Sequence, residues 1–374
     1  MTSDSNNEPL KIAIVSEFTH RTYPAGGENR YYEIARRLVK KGHKVTWLCM
    51  KQKNTSMDID TEGIEYVYLG SEVANPPFRS AWNFISFCFT LIFHLRSNHY
   101  DIVDAQTFSP LPAAFLGTLF SDTKLLATIH DTTGDKDGGY FQFRSIALLA
   151  EAAILRLPFR TTVTVSQATK NSLVEYYGVP QERVHVIYNG ISQTEADSID
   201  GSEKLRELIY VGRLVPHKHV EEFIELCDRI GARGAIVGHG PLEQDLRNQA
   251  SVVPNFEFIG KLESYRDVLA EIARSRVLIL PSTREGLGLV ILEAATLGVP
   301  SVAYAVGGVP EVIEDKVTGL LVPPASFSAM LEAVKWILKE DNSRKLGGAA
   351  KTRIAANFSW DKTVKLLEAL YRYS

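Results

Sequence analysis

The stretch PSTREGLGLVILEAATLGVP, residues 281–300, decides how the rest of the chain is read. It opens straight after a β-rich apolar run, Arg276 to Leu280 (RVLIL), and a second run, Ser301 to Tyr304 (SVAY), follows it. Between them Leu289, Leu292 and Leu297 recur at near-helical spacing, and Gly298 and Pro300 are stop signals. The pattern predicts strand, glycine-punctuated loop, short helix and strand, which is one βαβ unit. Glu285 falls in the loop and Glu293 two helical turns deeper. Open α/β sheets bind ligands at the carboxyl ends of their strands, so chemistry is expected at this loop. Gly286 and Gly288 leave backbone N–H groups bare beside a helix N-terminus, which suits an anion.

Length and composition set outer limits. A chain of 374 residues predicts roughly two domains. Hydrophobic content of 45% and charged content of 23% belong to a soluble globular protein. A net charge of −3 argues against general nucleic-acid binding, which needs a positive field. Cys49, Cys88 and Cys227 show neither zinc spacing nor a disulfide framework, and this predicts a reducing cytosol. The polar opening MTSDSNNEP has no apolar signal core and reads as a short disordered lead. WNFISFCFTLIF, residues 82–93, is too short to span a bilayer. Asn83, Ser86, Thr90 and His94 lie at helical spacing within and just after it, so a core helix with a narrow polar stripe is expected.

The first half alternates strands with helix-length segments. Apolar runs at Lys11–Ser16, Lys44–Met50, Ile64–Leu69, Ile102–Ala105, Leu125–Ile129 and Thr162–Val165 predict a parallel, doubly wound sheet. The first strand-to-helix turn lacks three spaced glycines, which disfavours a nicotinamide or flavin enzyme. Gly26 and Gly27 end the loop before a helix over Glu28–Lys41. They either let backbone approach a ligand or close a turn. Arg36, Arg37, Lys40, Lys41 and Lys44 cluster at that helix's C-terminus. They complement the macrodipole, or, as the sharper account, helix 28–44 is a membrane-surface patch for a lipid-linked substrate. His130 follows Leu125–Ile129 directly, at the carboxyl end of a strand, and a functional role is expected for it. Asp135 and Asp137 imitate a metal pair but are expected to be solvated charge.

The boundary is expected near residue 195. Val186–Gly190 is the last strand and turn of the first half, and the polar run Ser192–Glu207 is the linker. Leu208–Val211 opens a second sheet. Arg213 and Lys218 lie in its strand-to-helix loop, where two cations would neutralise a diphosphate on the rim that also carries Glu285. Ala235–Gly240, Phe256–Gly260 and the Gly307–Gly308 pair repeat the glycine-ended strand and predict a backbone-lined nucleotide cleft. A last helix, Ser359–Tyr373, starts at a serine cap.

These pieces resemble the retaining glycosyltransferases of the GT-B fold, specifically glycosyltransferase family 4. The carrying segments are SEFTHRTYPAGGENRYYEIARRLVKKGHKV, ATIHD, VSQATKNSLVEYYGVPQERVHVIYNGIS, YVGRLVPHK, GHGPLEQDL, FIGKL, residues 281–300 and AVGGVPEVI. They cover most of the chain in the family's order. The resemblance implies an α/β fold of two Rossmann-like doubly wound parallel-sheet domains facing a central cleft. Residues 1–194 would be the acceptor-binding domain and 195–358 the nucleotide-sugar-binding domain, with helix 359–374 crossing back onto the first.

By the same resemblance Glu285 is the catalytic glutamate near the transferred sugar and Glu293 binds the ribose hydroxyls. Arg213 and Lys218 bind the donor diphosphate, over which the Gly26–Gly27 loop closes. Gly286, Leu287, Gly288 and Leu289 offer backbone N–H groups to sugar and phosphate. Lys261 and Leu262 meet the base, and His130 is the acceptor-side catalytic histidine. Two positions depart from the family pattern: His219 stands where glycine is usual, and Gln106 where a histidine often ends the strand. The implied activity moves a hexose from a UDP- or GDP-sugar to a glycan, lipid-linked or small-molecule acceptor, with retention, no cofactor and no metal. It would take place in the cytoplasm or at the inner face of the membrane. A sugar-nucleotide epimerase or phosphorylase on the same frame, and a non-catalytic sugar-nucleotide binder, are the alternatives.

Overall fold

The computed structural model describes residues 8–22, 26–53, 55–76, 78–132, 144–157, 161–201 and 203–373. Asp135 and Asp137 lie outside the described residues. The chain divides into two compact units. Of the described residues, the first holds those up to 132, Ser145–Gly190 and Trp360 onward, and the second holds Arg144 and Ile191–Ser359.

In the first unit the strands are β1 (Lys11–Val15), β2 (Lys44–Gln52), β3 (Asp58–Ile59), β4 (Glu65–Val73), β5 (Ile102–Gln106), β6 (Lys124–Ile129), β7 (Thr161–Thr164) and β8 (Val184–Val186). They form one sheet in the order β3-β4-β2-β1-β5-β6-β7-β8. All pairings are parallel except that of the edge strand β3 with β4. Side chains alternate along β1, and the two faces build separate cores. Ile12 and Ile14 pack with Tyr31, Ile34 and Leu38 of helix α1 (Gly26–Lys40) and with Val364 and Leu367 near the C-terminus. Ala13 and Val15 pack with Phe87, Leu91 and Leu95 of α2 (Ala81–Ser97) and with Ala114 of α3 (Leu111–Thr118).

The second unit has β9 (Arg206–Val211), β10 (Gly234–Val237), β11 (Phe256–Gly260), β12 (Ser275–Leu280), β13 (Ser301–Tyr304) and β14 (Gly319–Val322). Every pairing is parallel, and the order is β11-β10-β9-β12-β13-β14. The sequence winds outward from β9 in one direction and resumes from β12 in the other. The switch between β9 and β12 opens a crevice at their carboxyl ends, the place where such sheets take ligands. Helices α7 (Val220–Ile230), α8 (Glu243–Ala250), α9 (Tyr265–Ala273), α10 (Leu289–Thr296), α12 (Phe327–Leu338) and α13 (Asn342–Asn357) surround it, with the short α11 (Val309–Val312) after β13.

Several local expectations change. Gly26 and Gly27 are the first two residues of α1 instead of the end of a loop. The segment read as a linker contains a short helix, α6 (Gln193–Asp197). The core helix over 82–93 is only half core. Phe87, Leu91 and Leu95 are buried, but Trp82, Ile85, Phe89 and Phe93 are more than half exposed. Its polar stripe is used internally: Asn83 completes a capping box with Ser80, Ser86 accepts from the Ser71 N–H, and His94 bonds the Tyr100 hydroxyl.

The basic cluster of α1 is largely paired within the unit. Arg36 and Arg37 both bridge Glu33, Lys40 lies 3.1 Å from Glu62, and Lys41 lies 2.8 Å from Glu368 of the C-terminal helix α14 (Trp360–Tyr373). Among the described residues no helix is long and apolar enough to cross a membrane.

Candidate functional site

The loop after β9 and the loop after β12 flank the switch point and are fastened to each other. The Thr283 N–H donates to the His217 carbonyl at 3.0 Å. Lys218, in a single turn of 3-10 helix before α7, reaches Glu285 with its Nζ 2.5 Å from Oε1. Both side chains are almost closed off, at 14% and 11% exposure, so the pair is weakly screened by water. Arg213 is exposed on the same β9 loop, and the Tyr210 hydroxyl holds its carbonyl at 2.9 Å. The ring of His217 senses the whole group. Burial, with the nearby charge of Lys218 and lesser contributions from Arg284 and Arg213, lowers its pKa to about 4 against the opposing pull of Glu285.

Glycine geometry explains how the Glu285 loop is held. Gly307 follows β13 at φ +49°, and a Cβ there would sit 1.8 Å from the Glu285 carbonyl oxygen. The next residue, Gly308, donates its N–H to the Gly286 carbonyl at 3.1 Å. Gly288 caps α10 in the left-handed region at φ 82°, where glycine carries no Cβ penalty. Leu287 is buried, which anchors the loop, while Leu289 begins the helix. The amides of 286–289 therefore lie at the N-terminal end of α10, where unsatisfied N–H groups and the helix dipole favour negative charge.

Glu293 lies one turn into α10 and accepts from the Tyr265 hydroxyl at 3.2 Å. Burial raises its pKa to about 7, and the Tyr265 hydrogen bond only partly offsets this. Lys261 and Leu262 occupy the loop after β11. Lys261 is exposed and 3.1 Å from Glu263. The loop is joined to the β10 end through the bond from Gly238 N–H to Gly260 carbonyl, 2.8 Å.

His219, at the position of the family's glycine, adopts φ 46° and ψ 47° as the residue preceding α7. This left-handed conformation is the one a glycine occupies without strain. Its imidazole is answered by Glu221 at 3.2 Å.

Three of the residues expected at the site lie in the first unit. His130 follows β6, and its Nε2 is 2.6 Å from the Tyr31 hydroxyl and 3.4 Å from Gln106 Oε1. Burial, with the nearby Arg30 guanidinium, depresses its pKa to about 3, so the ring is neutral at pH 7. Tyr31 is held protonated by burial. Gly26 and Gly27 form the first turn of α1, and a Cβ on Gly27 would lie 3.3 Å from the Tyr31 oxygen. Beneath them Arg30 is fully buried, bonded to Asn189 Oδ1 and 3.3 Å from the Ile187 carbonyl.

The structure thus joins Arg213, Lys218, Glu285, Glu293 and residues 286–289 around one switch point, and His130 with Gln106 around another strand end. Sequence reading missed Tyr265, Tyr31 and Arg30. Tyr265 follows Ser264 just beyond the FIGKL segment, a detectable helix start. Tyr31 is 99 positions from His130, and no local pattern links them.

Two family models match successive parts of the chain. Glycosyltransferase Family 4 covers residues 24–195, and Glycosyl transferases group 1 covers residues 192–353. An uncharacterized glycosyltransferase of Methanocaldococcus jannaschii is 28% identical over 267 residues, 66% of this chain and 68% of that protein. Sucrose-phosphate synthase from Thermosynechococcus elongatus superposes with a TM-score of 0.83 at 22% identity, covering 96% of this chain and 98% of the other. The Anabaena HepE protein in complex with UDP-glucose gives 0.77 at 16% identity, covering 98% and 100%. The chain belongs to the GT-B glycosyltransferases.

Proposed function

We propose that the protein transfers a hexose from a UDP- or GDP-sugar to a glycan, lipid-linked or small-molecule acceptor, with retention and without a metal. The observation that carries this reading is the Lys218–Glu285 pair across the β9/β12 switch, with Arg213 on the same loop. A carboxylate beside the reacting sugar and two cations for a diphosphate are the groups the reaction needs. HepE, whose structure was solved with UDP-glucose, supports a nucleotide-sugar donor.

In this reading the bond from the anomeric carbon to the β-phosphate oxygen breaks, and its electrons leave with the diphosphate. Lys218 moves from Glu285 to that growing charge. Arg213 and the amides of 286–289 join it as preorganised donors. Glu285, released, faces the positive charge on the ring. The acceptor oxygen bonds to the same face, and its proton passes to the departing phosphate oxygen. Glu293 binds the ribose hydroxyls, and Lys261 and Leu262 border the base. His130, neutral and tethered to Tyr31, orients an acceptor hydroxyl instead of removing its proton. Gly26 and Gly27, in the first turn of α1, present backbone amides to donor phosphate. The free thiols Cys49, Cys88 and Cys227 agree with a cytoplasmic setting.

The test is release of free UDP or GDP in excess EDTA, with product analysis by NMR. Release that requires acceptor, with the donor's anomeric configuration kept, supports the reading. Inverted product, a requirement for added Mn²⁺, or interconversion of donor sugars without transfer would each overturn it. The last outcome would favour the epimerase alternative.

A further inference from the structure

Among the described residues Glu293 enters no ion pair, and the side chain that donates to it is neutral. Charged residues are close at hand, since α6, α9 and α13 all pack on α10. They are engaged elsewhere. Lys261, before α9, lies 3.1 Å from Glu263, Arg266 donates to the Ser198 carbonyl at 3.1 Å, and Lys351 of α13 lies 3.2 Å from Asp197 of α6. Burial and the Tyr265 hydroxyl are the influences on the titration of Glu293. A buried carboxylate without a cation depends on the hydrogen bonds it receives.

Tyr265 supplies that bond from a different element. It is the first residue of α9, just after Leu262 in the loop expected to border the base, while Glu293 sits on α10, after β12. Its ring is 37% exposed, so it does not complete a core, and the hydroxyl is what sets it apart from a phenylalanine. The phenol donates to Oε1 at 3.2 Å. Oε2 makes no hydrogen bond among the described residues and is not sealed from water. One oxygen is pinned and the other is left open. A donor on Oε1 stabilises the ionised form and fixes the plane of the carboxylate, so Oε2 meets a ligand already oriented. A ribose hydroxyl would give Oε2 the same kind of bond that the phenol gives Oε1.

We propose that Tyr265 is a positioning residue: by holding Oε1 of Glu293 it aims Oε2 at the ribose of the nucleotide and keeps the carboxylate ready to accept from the ribose hydroxyls. The proposal rests on the nucleotide-sugar reading above, in which Glu293 meets the ribose. The experiment is calorimetric titration of the full chain, in excess EDTA, with UDP, GDP and their 2′,3′-dideoxy analogues, from about pH 6 to about pH 9. It compares the parent with Tyr265→Phe, which keeps the ring and removes the hydroxyl. Thermal unfolding confirms that the variant folds.

Without the phenol, Glu293 keeps its proton to higher pH, so the variant's affinity should rise later than the parent's. Tyr265→Phe should bind UDP or GDP about fivefold more weakly at pH 7, the ratio expected when the midpoint moves up by about one pH unit, and recover to within about twofold at pH 9. The dideoxy analogues, with no ribose hydroxyl for Glu293, should bind both proteins alike. A loss of the same size at every pH overturns the proposal and leaves the phenol a fastening between α9 and α10. An equal loss with the dideoxy analogues overturns it as well. A parent that binds neither UDP nor GDP at any pH contradicts the donor reading and takes this proposal with it. A parent that binds, with Tyr265→Phe following the same curve, removes this proposal alone.

Discussion

Lys218 and Glu285 stand 67 residues apart in sequence and 2.5 Å apart in the fold, one after each of the two strands that flank the switch of the second sheet. With both side chains nearly enclosed, removing either partner leaves an uncompensated charge. Glu285→Gln and Lys218→Met should each destabilise the protein by roughly 1–3 kcal/mol in urea unfolding, and the double variant by less than their sum. Strict additivity would show that the pair is not coupled.

Gly307 has a role that its neighbours in sequence do not reveal. Gly307→Ala drives a Cβ into the Glu285 carbonyl and must displace the loop that carries Glu285. Turnover should fall at least about tenfold, equivalent to roughly 1.4 kcal/mol. Gly348→Ala, in α13 with nothing within 4 Å of the new Cβ, should leave turnover unchanged. Equal effects of the two would remove the steric account of the loop.

Glu293 provides a pH signature. Its folded pKa of about 7 exceeds that of an exposed glutamate, so between pH 4.5 and 7 the folded state binds the extra proton. Its contribution to stability is present below pH 4.5 and is lost as pH rises through about 7. Ribose hydroxyls donate to the ionised form. Affinity for UDP or GDP should therefore rise through pH 7 by calorimetry, and Glu293→Gln should flatten the curve. An identical pH dependence in that variant would dissociate Glu293 from the ribose.

His130 works in the opposite sense. With a folded pKa of about 3 it stays neutral where the unfolded imidazole is protonated. Its contribution to stability is complete above pH 6.5 and declines as pH falls toward 3, by at most about 1.4 kcal/mol per pH unit. His130→Gln should reduce that slope in denaturant titrations, and an unchanged slope would mean that the ring is solvated.

His219 is a natural site of strain. Because a side chain in the left-handed region costs about 1–2 kcal/mol, His219→Gly should stabilise the protein by up to about 1 kcal/mol after the loss of the Glu221 contact. Destabilisation would show that the contact outweighs the strain.

The sheets were legible because buried parallel strands read as short apolar runs: LIYV of β9, RVLIL within β12 and SVAY as β13. Topology then implied that the loops after β9 and β12 would share a rim. Their direct pairing was not legible, because nothing local in the sequence orients Lys218 toward Glu285. The Gly26–Gly27 turn was misread for a physical reason. Glycine is a poor helix former, and here the fold, which packs Tyr31 over Gly27, overrides propensity. Helix α6 was hidden in a polar run with few apolar residues, of which Ala196 alone is buried within the helix. The exposed face of α2 was read as core because hydrophobicity alone does not say which side of a helix the sheet covers.

The central claim is that the β9/β12 switch binds a nucleoside diphosphate through Arg213 and Lys218. It is tested most directly by thermal unfolding with UDP or GDP in excess EDTA, on the parent and on Arg213→Ala and Lys218→Ala. The parent should gain about 2.7 kcal/mol when one of these ligands is present at a hundredfold over its Kd. Either substitution should remove most of that gain at the same concentration. Undiminished stabilisation of both variants, or none of the parent by either nucleotide, would contradict the account.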